Sequence, residues 1–495
     1  MHSPPAFRAG SLELRRGLAA LALPDINQQV VKAEYAVRGA IILRAAEIKE
    51  EMAKNASAFP FDKLVECNIG NPQALKQQPL TFNRQVLSLL TFPALLEMPA
   101  LLESFPPDAV ARAKEYLAAI PQGIGAYSDS QGFPIVCQQV ADFISARDGH
   151  PASREDIFLT DGASKGVQLM IKLILRNEQD GVLVPIPQYP LYSATLALEN
   201  ANFVGYYLSE ESAWALPVEE LERSLDSAKS KGINMRALVV INPGNPTGNS
   251  LPVENVRDII NFCSRNDLVL MADEVYQENV YDSARPFNSF KKVLREMSPE
   301  PPLQLVSFHS TSKGFLGECG LRGGYMEVIG FDPQVKAQIL KMASIGLCSN
   351  TVGQLVTGLM VQPPKPGDAS YESYMAEKQG ILGSLKRRAV KLVDALNKLE
   401  GVTCQSAQGA MYAFPCISFP PKALAAAEAA GKPPDAFYAM ALLEKTGIVV
   451  VPGSGFGQRD GTWHFRTTFL PPEHDMEGVM GRLADFHKEF MAKYK

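Results

Sequence analysis

Residues 303–324 read LQLVSFHSTSKGFLGECGLRGG, an apolar run followed by hydroxyl residues and glycines. Two long cations stand among these small residues. Lys313 follows Ser-Thr-Ser, and Arg322 comes nine positions later. A surface loop is the ordinary interpretation, because most lysines only solvate a protein face. Whether the small residues around Lys313 and Arg322 serve a binding site instead depends on the other segments of the chain.

Five short apolar runs recur along the chain, and each ends in polar or glycine-rich residues. They are DIFLT (156–160), GVLV (181–184), ALVVI (237–241), LVLMA (268–272) and LQLVSF (303–308). Runs that are apolar on both faces and separated by helical segments are typical of a mostly parallel sheet covered by helices. The pattern therefore predicts an α/β fold. Ligands of such sheets bind beyond the carboxyl ends of the strands, so the residues after the runs should converge on one site.

A smaller domain is predicted beside this sheet. The Pro/Gly-rich segment VQPPKPGDAS (361–370) reads as a linker, and an amphipathic helix with shorter pieces follows it. We predict four parts. These are an N-terminal arm (1–30), the N-terminal part of a small domain (31–85), a large domain (86–366) and a C-terminal small α/β domain (367–495).

Composition excludes several classes of function. The 495 residues carry a net charge of −5, so we predict neither a nucleic-acid partner nor a basic membrane face. No apolar run reaches about 18 residues, which predicts a soluble protein. The seven cysteines are scattered and form no C-x-x-C pair, which indicates reduced thiols in an intracellular protein. The six histidines show no metal-ligand spacing, so we predict no metal site.

The residues after the first three runs offer polar and aromatic groups. DGASKG (161–166) opens a helix, whose first N–H groups either bind an anion or are capped by a side chain. PIPQYP (185–190) carries Tyr189, either a stacking surface for a ring or a structural aromatic. NPGNPTG (242–248) forces a rigid turn, and its doubled Asn-Pro favours a side chain aimed at a ligand, Asn245.

An acid follows the fourth run. Asp273 in DEVY (273–276) is either a helix cap or a buried carboxylate that needs a partner, and Tyr276 could lie on the same side. Together with Lys313, the five strand ends offer an anion pocket, a ring, an amide, an acid and an amine. Pyridoxal 5′-phosphate (PLP) has a matching phosphate, aromatic ring, ring oxygen, ring nitrogen and aldehyde. The lysine would form the Schiff base, and the acid would keep the pyridine nitrogen protonated.

The chain resembles the class I aminotransferases of fold type I, and within them the alanine aminotransferase group. The resemblance extends over essentially the whole chain, and the order and spacing of its motifs make it specific. Besides the segments above, the motifs are EYAVRGA (34–40), CNIGNPQAL (67–75), GAYSDSQG (125–132), SKGFLGECGLRGGY (312–325), VPGSGFGQ (451–458) and HFRTTFL (464–470).

The resemblance implies a role for individual residues. Lys313 is the Schiff-base lysine and the general base of the 1,3-proton shift. Asp273 pairs with the pyridine nitrogen, and Tyr189 stacks on the ring. Asn245 and Tyr276 contact the phenolic oxygen of the ring. The implied catalytic residues are thus Lys313, Asp273 and Tyr276.

Further implied residues bind the phosphate and the substrate. The phosphate contacts are Ala163, Ser164, Lys165, Ser310, Arg322 and, from the neighbouring subunit of a homodimer with composite sites, Tyr127. The substrate-binding residues are Gly70, Asn245 and Arg466, and the arginine holds the α-carboxylate as a bidentate fork. One departure from the general class is the spacing of nine residues between the lysine and Arg322, where eight is usual. The alanine aminotransferases share the longer spacing.

The substrate class follows from a further comparison. Aspartate aminotransferases bind the distal carboxylate with an arginine four residues before a Ser-Asn pair. Here Ile345 stands four residues before Ser349, so a small neutral amino acid is expected. We predict a ping-pong transfer between L-alanine and 2-oxoglutarate. Glutamate–glyoxylate transamination is the first alternative, mildly disfavoured because MAKYK (491–495) is not a peroxisomal address. A lyase of the aminocyclopropane-carboxylate synthase type is less favoured.

The N-terminal segment leaves the compartment open between cytoplasm and mitochondrion. MHSPPAFRAGSLELRRGLAAL (1–21) has three arginines and one acid, which resembles an organelle transit peptide and equally fits an ordinary tail.

Overall fold

The computed structural model describes residues 22–35, 39–297 and 303–495. The N-terminal targeting segment discussed above therefore lies outside the described residues. The strands are β1 (Val65–Glu66), β2 (Ile157–Leu159), β3 (Asp180–Ile186), β4 (Asn202–Tyr207), β5 (Asn234–Ile241), β6 (Val269–Asp273), β7 (Leu305–Ser310), β8 (Gly324–Ile329), β9 (Val402–Thr403), β10 (Tyr412–Ala413), β11 (Cys416–Ile417), β12 (Ile448–Val449), β13 (Val451–Pro452) and β14 (Phe465–Thr468).

The α-helices surround these strands. They are α1 (Gln28–Lys32), α2 (Ala40–Lys54), α3 (Thr81–Thr91), α4 (Pro99–Leu102), α5 (Pro107–Ala119), α6 (Pro134–Asp148), α7 (Ala163–Ile174), α8 (Leu191–Leu198), α9 (Val218–Ser230), α10 (Val253–Arg265), α11 (Phe290–Met297), α12 (Pro333–Ile345), α13 (Thr351–Val361), α14 (Tyr371–Leu396), α15 (Pro421–Ala429), α16 (Pro434–Thr446) and α17 (Met476–Tyr494).

Seven strands form the central sheet in the order β2-β8-β7-β6-β5-β3-β4. Only β8 runs antiparallel to its two neighbours, so the other six strands end at the same edge. The five apolar runs correspond to β2, β3, β5, β6 and β7, which confirms the predicted α/β class with a mostly parallel sheet.

The sequence patterns did not predict two strands of the sheet, β4 and β8. β4 lies at the edge of the sheet, contains a glycine and is only partly buried, so it lacks a continuous apolar run. β8 is fully buried, but Glu327 interrupts its apolar pattern. A buried carboxylate in a central strand needs a cationic partner. The sequence does not show which lysine or arginine is the partner of Glu327.

Alternate residues of the strands enter two different apolar clusters, one on each face of the sheet. Leu238, Val240 and Leu270 pack with α9, α10 and α11 on one face. Val239, Met271 and Val306 pack with α7 and α8 on the other face. This arrangement explains why the strand runs are apolar at every position, because both faces of the sheet are covered.

The beginning and the end of the chain share a third apolar cluster. Ile41 and Ile48 of α2 pack with residues of α14, α16 and α17, and β1 pairs in parallel with β12. Residues 362–370, between α13 and α14, coincide with the Pro/Gly-rich segment. This packing favours a small domain that is formed from both termini, and the exact domain bounds stay a prediction.

Two further findings concern the predicted environment. No helix in the described ranges is long and apolar enough to cross a membrane. All seven cysteines are free.

An ion pair between α11 and the sheet compensates the charge of the buried carboxylate of β8. Lys291 Nζ on α11 lies 2.5 Å from Glu327 Oε1, and both side chains are almost completely buried. Removing one member of such a pair leaves an uncompensated charge in a dry interior. The pair therefore fixes α11 to the sheet by making separation costly.

We predict that Lys291→Met lowers the free energy of unfolding by about 3–5 kcal/mol, and that the double variant Lys291→Met/Glu327→Leu recovers most of this loss. Urea denaturation measures both changes. The matched control is Lys292→Met, which removes the neighbouring, half-buried lysine and should cost less than about 0.5 kcal/mol. A double variant as unstable as Lys291→Met would contradict this account.

Candidate active site

A cavity of about 270 Å³ lies at the carboxyl ends of β5, β6 and β7. Its lining brings together most of the residues proposed from the sequence. They are Gly70, Ala163, Ser164, Tyr189, Asn245, Asp273, Tyr276, Ser310, Lys313, Arg322 and Arg466. Lys165 and Tyr127 are not among the lining residues. The side chain of Lys165 is exposed on α7, and Tyr127 is 77% exposed.

Lys313 follows β7 and reaches the segment after β1. Its Nζ donates a hydrogen bond of 2.6 Å to the carbonyl oxygen of Gly70. A Cβ atom on residue 70 would collide with the hydroxyl of Tyr412 and would lie 2.9 Å from Lys313 Nζ. Glycine at this position therefore leaves the space that the amine and the tyrosine occupy.

Asp273 ends β6 and is only 5% exposed. Its strongest partner is the hydroxyl of Tyr192, which donates to Oδ2 at 2.7 Å. Burial raises the pKa of Asp273 to about 6, although the Tyr192 hydrogen bond and the charge of Lys313 oppose the rise. No helix begins here, since the next one in the described chain starts at Phe290, so the helix-cap interpretation is wrong.

The start of α7 offers uncapped N–H groups to the cavity. Gly162 occupies the cap position, and no side chain of the described residues caps the helix, which argues against a simple side-chain cap by Asp161 or Ser164. Arg322 borders this helix start: its Nη2 donates to the carbonyl oxygen of Asp161 at 2.7 Å and lies 3.4 Å from Ser164 Oγ. A Cβ on residue 162 would lie 2.6 Å from Arg322 Nη2. Backbone donors, hydroxyls and a guanidinium around a helix start suit a phosphate.

Arg466 on β14 also lines the cavity and is a buried cation, only 2% exposed. Its Nη1 donates to Asn245 Oδ1 at 3.0 Å, and Nη2 donates to the carbonyl oxygen of Asn68. No carboxylate of the described residues pairs with it, and its Nε has no hydrogen-bond partner among them. A buried guanidinium that lacks a carboxylate partner favours the binding of an anionic ligand.

Sequence reasoning missed several aromatic residues of the site. The hydroxyl of Tyr412 lies 3.0 Å from that of Tyr276, and its ring lies 4.3 Å from the Arg466 guanidinium. The hydroxyl of Tyr35 lies 2.8 Å from that of Tyr189. Burial raises the pKa of Tyr276. In Tyr412 burial is outweighed by the charges of Lys313 and Arg466, so the pKa of Tyr412 is lowered.

These residues fit PLP on structural grounds. The helix start with Arg322 suits the phosphate, the buried carboxyl of Asp273 suits a protonated ring nitrogen, and Lys313 supplies the amine. Tyr189 lines the cavity as a ring surface. The fold and the site together define a class, a fold-type I enzyme that holds PLP.

Comparisons with known proteins support the same class. The family model for aminotransferase class I and II matches residues 98–483. The chain is 55% identical over 481 residues to a probable mitochondrial alanine aminotransferase of Dictyostelium discoideum, covering 96% of this chain and 90% of that protein. It is 50% identical over 479 residues to glutamate–glyoxylate aminotransferase 2 of Arabidopsis thaliana, covering 96% and 98%.

A solved structure shows the same fold. The alanine aminotransferase from Pyrococcus furiosus superimposes with a TM-score of 0.74 at 24% identity, covering 94% of this chain and all of that one. The chain belongs to the class I and II aminotransferases.

We predict that Asp273→Asn stabilises the cofactor-free protein at pH 7. The folded pKa of about 6 exceeds the unfolded value of about 3.9. The folded state therefore binds the extra proton between these values, and its stability falls as the pH rises through them. Above about pH 6 the carboxylate costs on the order of 2–3 kcal/mol, which asparagine avoids.

Thermal unfolding of the PLP-free parent and variant, followed from about pH 4 to pH 8, measures this difference. The gain should be full at pH 7 and nearly gone near pH 4, where the folded carboxyl is protonated and the unfolded one is about half protonated. Asp267→Asn, an exposed acid just before the same strand, is the matched control. A gain that does not vary with pH would refute the buried-acid interpretation.

Proposed function

We propose that the protein transfers the amino group between L-alanine and 2-oxoglutarate, giving pyruvate and L-glutamate, by a ping-pong mechanism with PLP. The Arg466 guanidinium lines the same cavity as Lys313 and pairs with no carboxylate of the described residues, and this observation carries the proposal. The relatives of similar length that are named alanine aminotransferase support it.

The cations of the described cavity lining favour a neutral amino acid. They are Lys313, Arg322 and Arg466. Arg322 suits the cofactor phosphate, Arg466 suits an α-carboxylate, and Lys313 lines the same cavity and supplies the amine. No cation of this set is left for a second carboxylate on the substrate. The methyl group of alanine needs no such partner, whereas the distal carboxylate of 2-oxoglutarate would need one from outside this lining.

Different residues of the cavity have different roles in the proposed reaction. When bound, PLP supplies an electron sink for the negative charge that develops at the substrate Cα. Arg466 orients the substrate through its carboxylate and fixes which bond at Cα faces Lys313. Lys313 takes the proton from Cα as a general base and, as the conjugate acid, would pass it to the cofactor carbon that takes up the amino group. Asp273, held by Tyr192, keeps a negative charge on the side where the ring nitrogen would lie.

A panel of amino donors and 2-oxo acid acceptors, followed by the absorbance of the bound cofactor, tests the proposed substrates. We expect alanine to convert the cofactor and 2-oxoglutarate to restore it. Lys313→Ala should retain cofactor through the phosphate contacts. Its turnover rate should fall by at least the roughly 10²–10⁴-fold that general acid–base catalysis contributes. Borohydride reduction and peptide mapping should place the covalent label on Lys313.

Other outcomes of these experiments would overturn parts of the proposal. A clear preference for glyoxylate as acceptor would favour the first alternative, since a relative at 50% identity has that name. Loss of alanine without a 2-oxo acid product would indicate a lyase. A label on Lys165 would show that the lysine was assigned wrongly.

We also propose a homodimer with composite sites. Tyr127 is 77% exposed and Ile345 is 80% exposed, although both belong to segments that the family resemblance places at the partner's site. Four residues after Ile345, the hydroxyl of Ser349 is buried without a hydrogen-bond partner among the described residues. Exposed aromatic and aliphatic side chains beside an unsatisfied hydroxyl suit a surface that a second subunit covers.

Subunit exchange between two defective variants tests the composite site. Lys313→Ala and Tyr127→Phe each impair every site of their own homodimers. In a mixed dimer, one site carries both lesions and the other carries neither. Random pairing makes half of the dimers mixed, so activity should rise towards about one quarter of wild type. Mixed dimers proven by mass spectrometry that show no recovery would place Tyr127 in the site of its own subunit.

A further inference from the structure

Three side chains with metal-binding atoms meet outside the active-site cavity. They are Glu210 after β4, Cys416 on β11 and His464 just before β14. One ligand atom from each lies within 4.8 Å of the other two, and His464 Nε2 lies 3.1 Å from Glu210 Oε2. Cys416 and His464 face each other across an antiparallel bridge, so the backbone holds these two residues together.

The orientation of His464 is fixed by a partner on its other ring nitrogen. Nδ1 lies 3.0 Å from Gln458 Oε1, and the same oxygen accepts the backbone N–H of His464. The amide nitrogen of Gln458 points to a carboxylate oxygen of Asp435 at 3.4 Å. Gln458 Oε1 is therefore an acceptor, Nδ1 is the donor, and Nε2 faces the cluster. Histidines that bind metals show this arrangement, in which an oxygen acceptor sets the tautomer.

Aromatic packing restrains the same imidazole. The ring of Phe414 stacks on it with 4.8 Å between centroids and an angle of 3°, and Trp214 packs against it edge-on. The His464 side chain is 3% exposed, whereas Glu210 is 28% exposed. One side of the cluster is thus rigid and dry, and the other side is open to water.

The cluster favours a positive charge at Nε2. Nε2 faces a carboxylate oxygen of Glu210 at 3.1 Å and shares the cluster with the Cys416 sulfur. A proton on Nε2 would satisfy the facing carboxylate. A cation bound between all three groups would satisfy the carboxylate and the sulfur together.

We propose that Glu210, Cys416 and His464 bind a thiophilic divalent cation of the Zn²⁺ type, with water in the fourth position. Sulfur, imidazole and carboxylate donors are the set that Zn²⁺ takes, and three protein ligands plus water complete a tetrahedron. The histidine spacing predicted no metal site. It could not reveal this one, because the ligands come from three segments that are distant in the chain.

The position of the cluster suggests what the cation would stabilise. His464 precedes Arg466 by two residues, and Phe414 links the two positions, since it packs on His464 and on Phe456. Phe456 in turn lies 4.7 Å from the Arg466 guanidinium. A bound cation would join β11, the segment after β4 and the start of β14, which supports the wall that holds Arg466.

Zinc content of the PLP-loaded protein after dialysis against buffered Zn²⁺ tests the proposal. We expect one zinc per chain in the parent and in Cys348→Ser, a matched control with a partly buried cysteine elsewhere. Cys416→Ser should lose the bound zinc. Gln458→Leu keeps all three ligands and should weaken binding by about 10–100-fold, as removal of an outer hydrogen-bond partner does. Zinc should raise the unfolding temperature of the parent but not of Cys416→Ser.

X-ray absorption of the zinc-loaded parent provides a test that needs no variant. One sulfur at about 2.3 Å, with nitrogen and oxygen neighbours at about 2.0–2.2 Å, is the expected shell. A shell without sulfur, equal zinc in Cys416→Ser and the parent, or no retained zinc at all would overturn the proposal. The last result would leave His464 as a protonated partner of Glu210.

Discussion

Charges that are buried without a directly paired counterion among the described residues are the constraint on which the site depends. Asp273 has a tyrosine hydroxyl as its strongest partner, and Arg466 has amide and carbonyl oxygens instead of a carboxylate. Both are nearly inaccessible to water. An isolated buried charge is costly, and the free protein carries that cost until a ligand of opposite charge arrives. Affinity for a cationic ring and for a carboxylate is therefore built into the empty cavity.

The topology of the sheet determines where these charges lie. Six strands of the described sheet end at one edge. Asp273 at the end of β6, and Asn245 and Lys313 after β5 and β7, line a common cavity there. The antiparallel β8 returns the chain from that edge, which places Arg322, two residues before the strand begins, beside the start of α7. Covering both sheet faces with helices makes the strand ends the place where polar side chains can gather.

The sequence predicted those parts of the site that come from apolar runs and their ends. Asp273 could be predicted because an acid at the end of a buried strand needs a partner for its charge. Tyr192 was not, since a tyrosine on a helix shows no sign of the carboxylate that its hydroxyl meets. Tyr412 and Tyr35 belong to segments more than 130 residues from their partners, and pairing across such distances leaves no local pattern. The same applies to β8, where the lysine that compensates Glu327 stands 36 positions away.

Two glycines show how the backbone is adapted to close approach. Gly162 has a positive φ of 80°, and its missing Cβ leaves room for the Arg322 guanidinium at the helix start. Gly70 leaves room for the hydroxyl of Tyr412 and for Lys313 Nζ. In both places a side chain would displace a charged group rather than a flexible apolar one. The small residues around Lys313 and Arg322 therefore do not mark an ordinary surface loop, because they allow two cations and a tyrosine to share one narrow cavity.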